Sequence, residues 1–412
     1  MAATIQHIKI DDLEVPLIFE SDNRLPLVTM QFTFTNSGSI ADTKNAGLAK
    51  FSAKVLNEGT LKLGSSAFAN ELESKAIHIS ASTGVETFVL EVGCLKEEFD
   101  DALQSFTKLL KDPNYSEATM TKIKTLTQGA LSRKENDFDY IAGKELKSLL
   151  FKGTVLAQAS SGTSTSIEAI QLKDVKEFIA SHLTTSNLIV TLGGDVSLSS
   201  AKEKIAKIIA LLPQGNVGKV PYCKTVSKPQ ESVLKKETQQ AYVYFGSPYN
   251  MKFDSPDYYK ARVATYILGT GGFGSRLMEE VRVKRGLAYS AYARVSVSKS
   301  NNYLTGYLQT KLDSLDEAKT TVVEVFEDFV QNGVTKDELE QTKKFLLGSE
   351  PLRVETMSQR LHRTFMEYYN GFELGHSQEE LSKINNLKLK DLNKYIKEHK
   401  EILDLSFAIV TK

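Results

Sequence analysis

An internal repeat does most to limit what this chain can fold into. Lys173-Asp174-Val175-Lys176-Glu177-Phe178-Ile179 precedes the apolar run Asn187 to Leu192 (NLIVTL). Starting 217 residues after Lys173, Lys390-Asp391-Leu392-Asn393-Lys394-Tyr395-Ile396 precedes Leu403 to Val410 (LDLSFAIV). Each copy reads as an amphipathic helix followed by a strand, and the offset is about half of the 412 residues. At about 100–200 residues per domain, the repeat points to two domains of one design. Leu27 to Phe34 (LVTMQFTF) and Glu86 to Val92 (ETFVLEV) alternate as half-buried strands, with helical periodicity between such segments. Both halves are therefore predicted as α+β. The boundaries fall at residues 1–212 and 237–412, joined by a linker over 213–236 that holds three of the nine prolines.

Charge excludes several functions. Fifty-one Lys+Arg balance fifty-one Asp+Glu, so no net positive field draws in nucleic acid or an anionic membrane. No run nears the roughly 18 apolar residues of a spanning helix. The opening MAATIQHIKIDDLEVPLIFE has neither the basic nor the apolar region of an export signal. Cys94 and Cys223 alone make no disulfide framework. The expectation is a soluble chain in a reducing cytoplasm, with the periplasm left open. The lysine-rich, Trp-free composition fits an AT-rich bacterial genome.

Chemistry concentrates in few places. The histidines are His7, His78, His182, His362, His376 and His399, and none stand three or four residues apart, so no helical zinc-binding pair exists. Gly269-Thr270-Gly271-Gly272-Phe273-Gly274 follows a helical pattern and lacks the Lys-Ser/Thr of a phosphate loop, so it reads as a flexible hinge. After it, Ser275 is a candidate N-cap, Arg276 to Arg285 a helix, Gly286 its left-handed end, and LAYSAYARVSV a strand. Arg282 and Tyr289 would then face one cavity; alternatively, Arg282 complements the helix dipole and Tyr289 packs.

The stretch from Gly272 to Tyr289 resembles the C-terminal-half signature of the M16 (pitrilysin-like) zinc metallopeptidases: Gly-x-x-Ser-Arg-Leu, a further Arg, then Gly-Leu-x-Tyr. In the first half, Gly47-Leu48-Ala49, Val55-Leu56-Asn57-Glu58-Gly59-Thr60, Ala81-Ser82-Thr83-Gly84 and Gly193-Gly194-Asp195 extend the similarity over essentially the whole chain. The resemblance implies two homologous LuxS/MPP-like metallohydrolase domains, each a mostly antiparallel sheet with helices on one face. It implies that Arg282 and Tyr289 bind peptide and steady the reaction intermediate, and that an extended peptide lies along Ser80, Ala81 and Ser82.

One departure decides what the resemblance can mean. Active members carry His-x-x-Glu-His, whereas this chain has Lys50-Phe51-Ser52-Ala53-Lys54. Two ammonium groups stand where two imidazoles hold zinc, and alanine replaces the general base. The third ligand, a glutamate, should fall near Gln128 and Gly129; Glu117 and Glu135 lie off that position. No metal is expected in this chain. The reading that follows is a non-catalytic subunit that supplies Arg282 and Tyr289 in trans to a zinc-binding M16 partner, in a heterodimer or with a second copy of itself. An M16-derived scaffold or core protein and a non-proteolytic peptide-binding homodimer are the alternatives.

Overall fold

The computed structural model describes residues 3–412. The first sheet contains β1 (Thr4–Ile10), β2 (Leu13–Ser21), β3 (Leu27–Thr35), β4 (His78–Thr83), β5 (Thr87–Leu95) and β6 (Leu188–Gly194). The second contains β7 (Glu231–Lys235), β8 (Gln240–Pro248), β9 (Ala288–Val297), β10 (Asn302–Lys311) and β11 (Ser406–Thr411). Their orders are β1-β2-β6-β3-β5-β4 and β7-β11-β8-β10-β9. β6 runs parallel to β2 and antiparallel to β3, and β11 runs parallel to β7 and antiparallel to β8. Apart from the additional β1, the two sheets share one topology, as two domains of one design require.

Alternation places the core. Val28, Met30, Phe32 and Phe34 of β3 and Phe88, Leu90, Val92 and Cys94 of β5 are buried on one face. There Phe32 meets Phe106 of the helix Phe99–Lys111 edge-on, with ring centroids 5.2 Å apart. Both repeat copies fold alike: the helices Leu172–His182 and Leu389–Glu398 each lead through a short 3-10 turn into a wholly buried strand. The strand runs Leu188–Gly194 in the first copy. In the second it starts only at Ser406, because Lys400–Leu403 is that turn.

The compact units are not continuous halves. One comprises the chain to Ser132, Ala159–Pro221 and Arg353–Met366; the other comprises Arg133–Gln158, Tyr222–Leu352 and Glu367 onward. Each sheet thus receives a helix from the opposite half of the chain. In the second unit, Phe245 of β8 packs on Phe326 of the helix Leu315–Asn332, while its neighbours point the other way: Tyr242 meets Phe138 edge-on, and Gly143 lies against the Tyr244 ring. Phe138 and Gly143 belong to the helix Phe138–Leu150, which covers that opposite face. In the first unit, Leu361 and Met357 of the helix Met357–Asn370 press on Gly193 so closely that a Cβ there would lie 2.5 Å from Leu361 Cδ1. Arg360 of the same helix pairs with the buried Glu20 at 2.6 Å and with Asp22 at 3.0 Å. The main helical layers lie where expected, and these exchanged helices are added to them. The segment read as a linker over 213–236 is irregular only to residue 230, since Glu231–Lys235 is β7.

Candidate functional site

The helix Leu48–Leu56 carries the five residues at the zinc-motif position. The carboxylate of Asp42 accepts the backbone N–H groups of Gly47 (3.0 Å) and Ala49 (2.7 Å) at its start. Burial pushes Asp42 up to about 6, against these two bonds, which pull its pKa down. Lys50 is exposed and its Nζ lies 3.5 Å from Ser161 Oγ. Lys54 is half-buried and donates to Thr127 Oγ1 at 2.7 Å. Thr127 lies on the helix Glu117–Lys134 and, rather than Gln128 or Gly129, is the residue facing the motif; Gln128 donates instead to the Ser164 carbonyl at 2.9 Å. Zinc does not fit this set. An ammonium has no lone pair to give, Ala53 has no side-chain donor, and the Thr127 hydroxyl is neutral and already accepts from Lys54. Among the described residues, no group of three or more His, Cys, Asp or Glu could hold a metal ion.

Ser80, Ala81 and Ser82 lie on β4, at the edge of the first sheet. Ala81 is already engaged: its N–H is accepted by Asn57 Oδ1 at 2.7 Å, and its carbonyl accepts from Asn57 Nδ2 at 2.9 Å. Asn57 caps the end of the helix Leu48–Leu56. Beside it, Glu58 is buried and pairs with Lys122 at 2.6 Å.

In the second unit the 276–285 segment is more irregular than a plain helix. Ser275 caps it by accepting the Met278 N–H, Arg276–Met278 is α-helical, and Glu279–Lys284 widens into a π-helix. π-Segments of this kind frequently accompany functional sites. Gly286 closes the segment at φ +63°. The guanidinium of Arg282 is held between two rings, 4.6 Å from the Phe273 centroid and 4.4 Å from that of Tyr289. Tyr289 is 82% exposed and Phe273 64%. Among the described residues Arg282 has no hydrogen-bond or ion-pair partner, so its N–H donors remain available. Arg276, by contrast, is fully engaged by Glu338 (2.6 Å), Asp328 (2.9 Å) and the Gly333 carbonyl (2.7 Å), which makes it structural. Within the glycine loop, Tyr266–Thr270 is π-helical and a Cβ on Gly269 would sit 2.3 Å from the Ala293 nitrogen on β9, whereas Gly272 and Gly274 have open space around them. Close approach demands Gly269. Asn57, Phe273 and Thr127 had no signal of their own in the sequence. Of the three, Thr127 adjoins Gln128, where the resemblance places the third ligand.

The comparisons with known proteins converge. Residues 25–164 match the model of "Insulinase (Peptidase family M16)", and residues 169–346 match that of "Peptidase M16 inactive domain". A protein of Helicobacter pylori named "Non-peptidase homolog YmxG" is 43% identical over 410 residues, covering 100% of this chain and 95% of its own length. The chain belongs to the M16 peptidase family. A Bacillus subtilis protein named "Uncharacterized zinc protease YmxG" is 22% identical over 317 residues, covering 77% of this chain and 76% of that protein. Among solved structures, an M16 inactive domain from Pseudomonas fluorescens superposes with a TM-score of 0.90 at 23% identity, covering 99% of this chain and 97% of that one. A protease from Helicobacter pylori gives 0.85 at 16% identity, with full coverage of both chains. These structural likenesses concern the fold. No helix among the described residues is long and apolar enough to cross a membrane.

Proposed function

We propose that this chain is the zinc-lacking subunit of a heteromeric M16-type endopeptidase. It contributes Arg282 and Tyr289 to a peptide held at a partner's zinc site. The observation that carries the reading is the Phe273–Arg282–Tyr289 stack. A guanidinium fixed between two exposed rings keeps its N–H edge free, which suits a peptide carbonyl or a developing negative charge. An arginine with only a structural task would be expected to find a carboxylate, as Arg276 does. The partner's zinc would supply the activation of water; Arg282 would bind and orient the substrate carbonyl, and the Tyr289 phenol would donate to the oxygen where charge develops. The loss of His-x-x-Glu-His at Lys50–Lys54 and the name of the Helicobacter pylori relative support the absence of peptidase activity from the chain alone.

The experiment compares zinc content and peptide cleavage for the purified chain and for the chain co-expressed with an M16 member of the same cell that bears His-x-x-Glu-His. The expected result is neither zinc nor cleavage alone and both in a stable complex. Stoichiometric zinc in the lone chain, or no complex and no activity on co-expression, overturns the reading and favours a scaffold or a peptide-binding homodimer.

A further inference from the structure

β4 is an edge strand: β5 satisfies one side, and alternate backbone groups on the other side point away from the sheet. An extended peptide would add to such an edge through these groups, without regard to its sequence. In this chain the central position of the edge is filled. A carboxamide offers one acceptor and one donor in a single plane, as a residue of a neighbouring strand would, and Asn57 uses both on Ala81. Ala81 itself is buried through its side chain, which joins the core of the first unit, and it is its outward backbone pair that Asn57 occupies. The side chain that covers it is itself exposed and anchored at the end of a helix, so water can replace its bonds and its reach is set by the backbone.

We infer that Asn57 is a built-in strand mimic that competes with extended peptide for the outer edge of β4. A peptide must displace the carboxamide from Ala81 before it can form the middle pair of ladder bonds. The inference rests on the peptide-binding part of the proposed function and adds a gate to it. Binding by the lone chain is held down until the carboxamide swings out, and backbone amides are the chemistry that moves it.

The test uses the purified full chain, with a fluorescein-labelled, proline-free, unstructured decapeptide as probe and fluorescence polarisation as readout. Asn57→Ala is expected to bind about tenfold more tightly than the wild-type chain, since two water-accessible hydrogen bonds no longer have to be broken. The same peptide N-methylated on alternate residues should bind neither form. Hydrogen exchange at the Ala81 amide should accelerate in the variant. Asn57→Ser provides a second replacement, polar but too short to make both bonds, should Asn57→Ala not fold. Equal affinity of wild type and folded variants for the decapeptide overturns the inference. So does self-association of the variants without a gain in peptide binding, which would make Asn57 a guard against a second copy of the chain. No zinc-bearing partner is present, so failure of the heteromeric peptidase would leave these readouts intact.

Discussion

The edge strands of the two sheets occupy matching places in their sheet orders, yet they are closed by different chemistry. On β4, Ala81 is held at both backbone groups by the Asn57 carboxamide. On β9, the Ala291 N–H meets only the thioether of Met278, with its nitrogen 3.2 Å from Sδ, and the π-helical turn at Gly269 presses on Ala293. Sulfur is a weak acceptor, whereas a carboxamide makes two full hydrogen bonds. The polar side chains near each edge divide in the same way. In the first unit Lys50 and Lys54 are turned onto Ser161 and Thr127; in the second Arg282 is stacked but left with its donors free. Duplication preserved the scaffold in both copies. In the first, Lys54 and Asn57 are bonded to neighbouring protein groups, and in the second Arg282 keeps its donors free.

The strongest way to break this contrast is to restore the first unit's metal face. Lys50→His, Ala53→Glu and Lys54→His together should bind no zinc, whereas adding Thr127→Glu should bring about one zinc per chain, read by elemental analysis. Equal zinc in the triple and quadruple variants would show that Thr127 is not the missing position. Next, Arg282→Ala or Tyr289→Phe should lower turnover of the assembled peptidase by about ten- to a thousandfold with assembly unchanged. Unaltered steady-state kinetics in both variants would remove the functional side of the comparison.

A smaller effect concerns the cap that starts the first unit's helix. The pKa of Asp42 is higher in the fold than the ordinary carboxylate value, so its stabilising contribution is full below about pH 4. It is lost as the pH rises through about 6, for about 3 kcal/mol in total. Asp42→Asn stays neutral and should flatten that part of the Tm–pH profile. Parallel profiles for variant and wild type would mean that the two N–H bonds outweigh burial. In the second unit, Gly269→Ala should cost about 1–3 kcal/mol in denaturant unfolding, because its Cβ meets backbone that cannot retreat. Gly274→Ala, with nothing within 4 Å, should be neutral; equal tolerance at both positions would show that close approach does not require Gly269.

Much of this protein was legible without coordinates. The alternation of β3 and β5, the repeated helix-to-strand units near residues 173 and 390, the Ser275 cap and the left-handed Gly286 all express local backbone preference and period, which neighbouring residues encode by themselves. The loss of zinc ligands at Lys50, Ala53 and Lys54 is equally a property of the string, because it depends on side-chain type alone. Other features depended on tertiary structure. The exchange of helices between the two halves is set by which sheet face offers a complementary surface, and each half has a face of that kind. Asn57 meets Ala81 across 24 residues, and Lys54 meets Thr127 across 73. Such contacts arise from the packing of helices and strands against one another, and neither composition nor periodicity carries that information. The motif singled out Arg282 and Tyr289, but only the folded π-segment and loop laid the guanidinium over the Tyr289 and Phe273 rings and left its donors free.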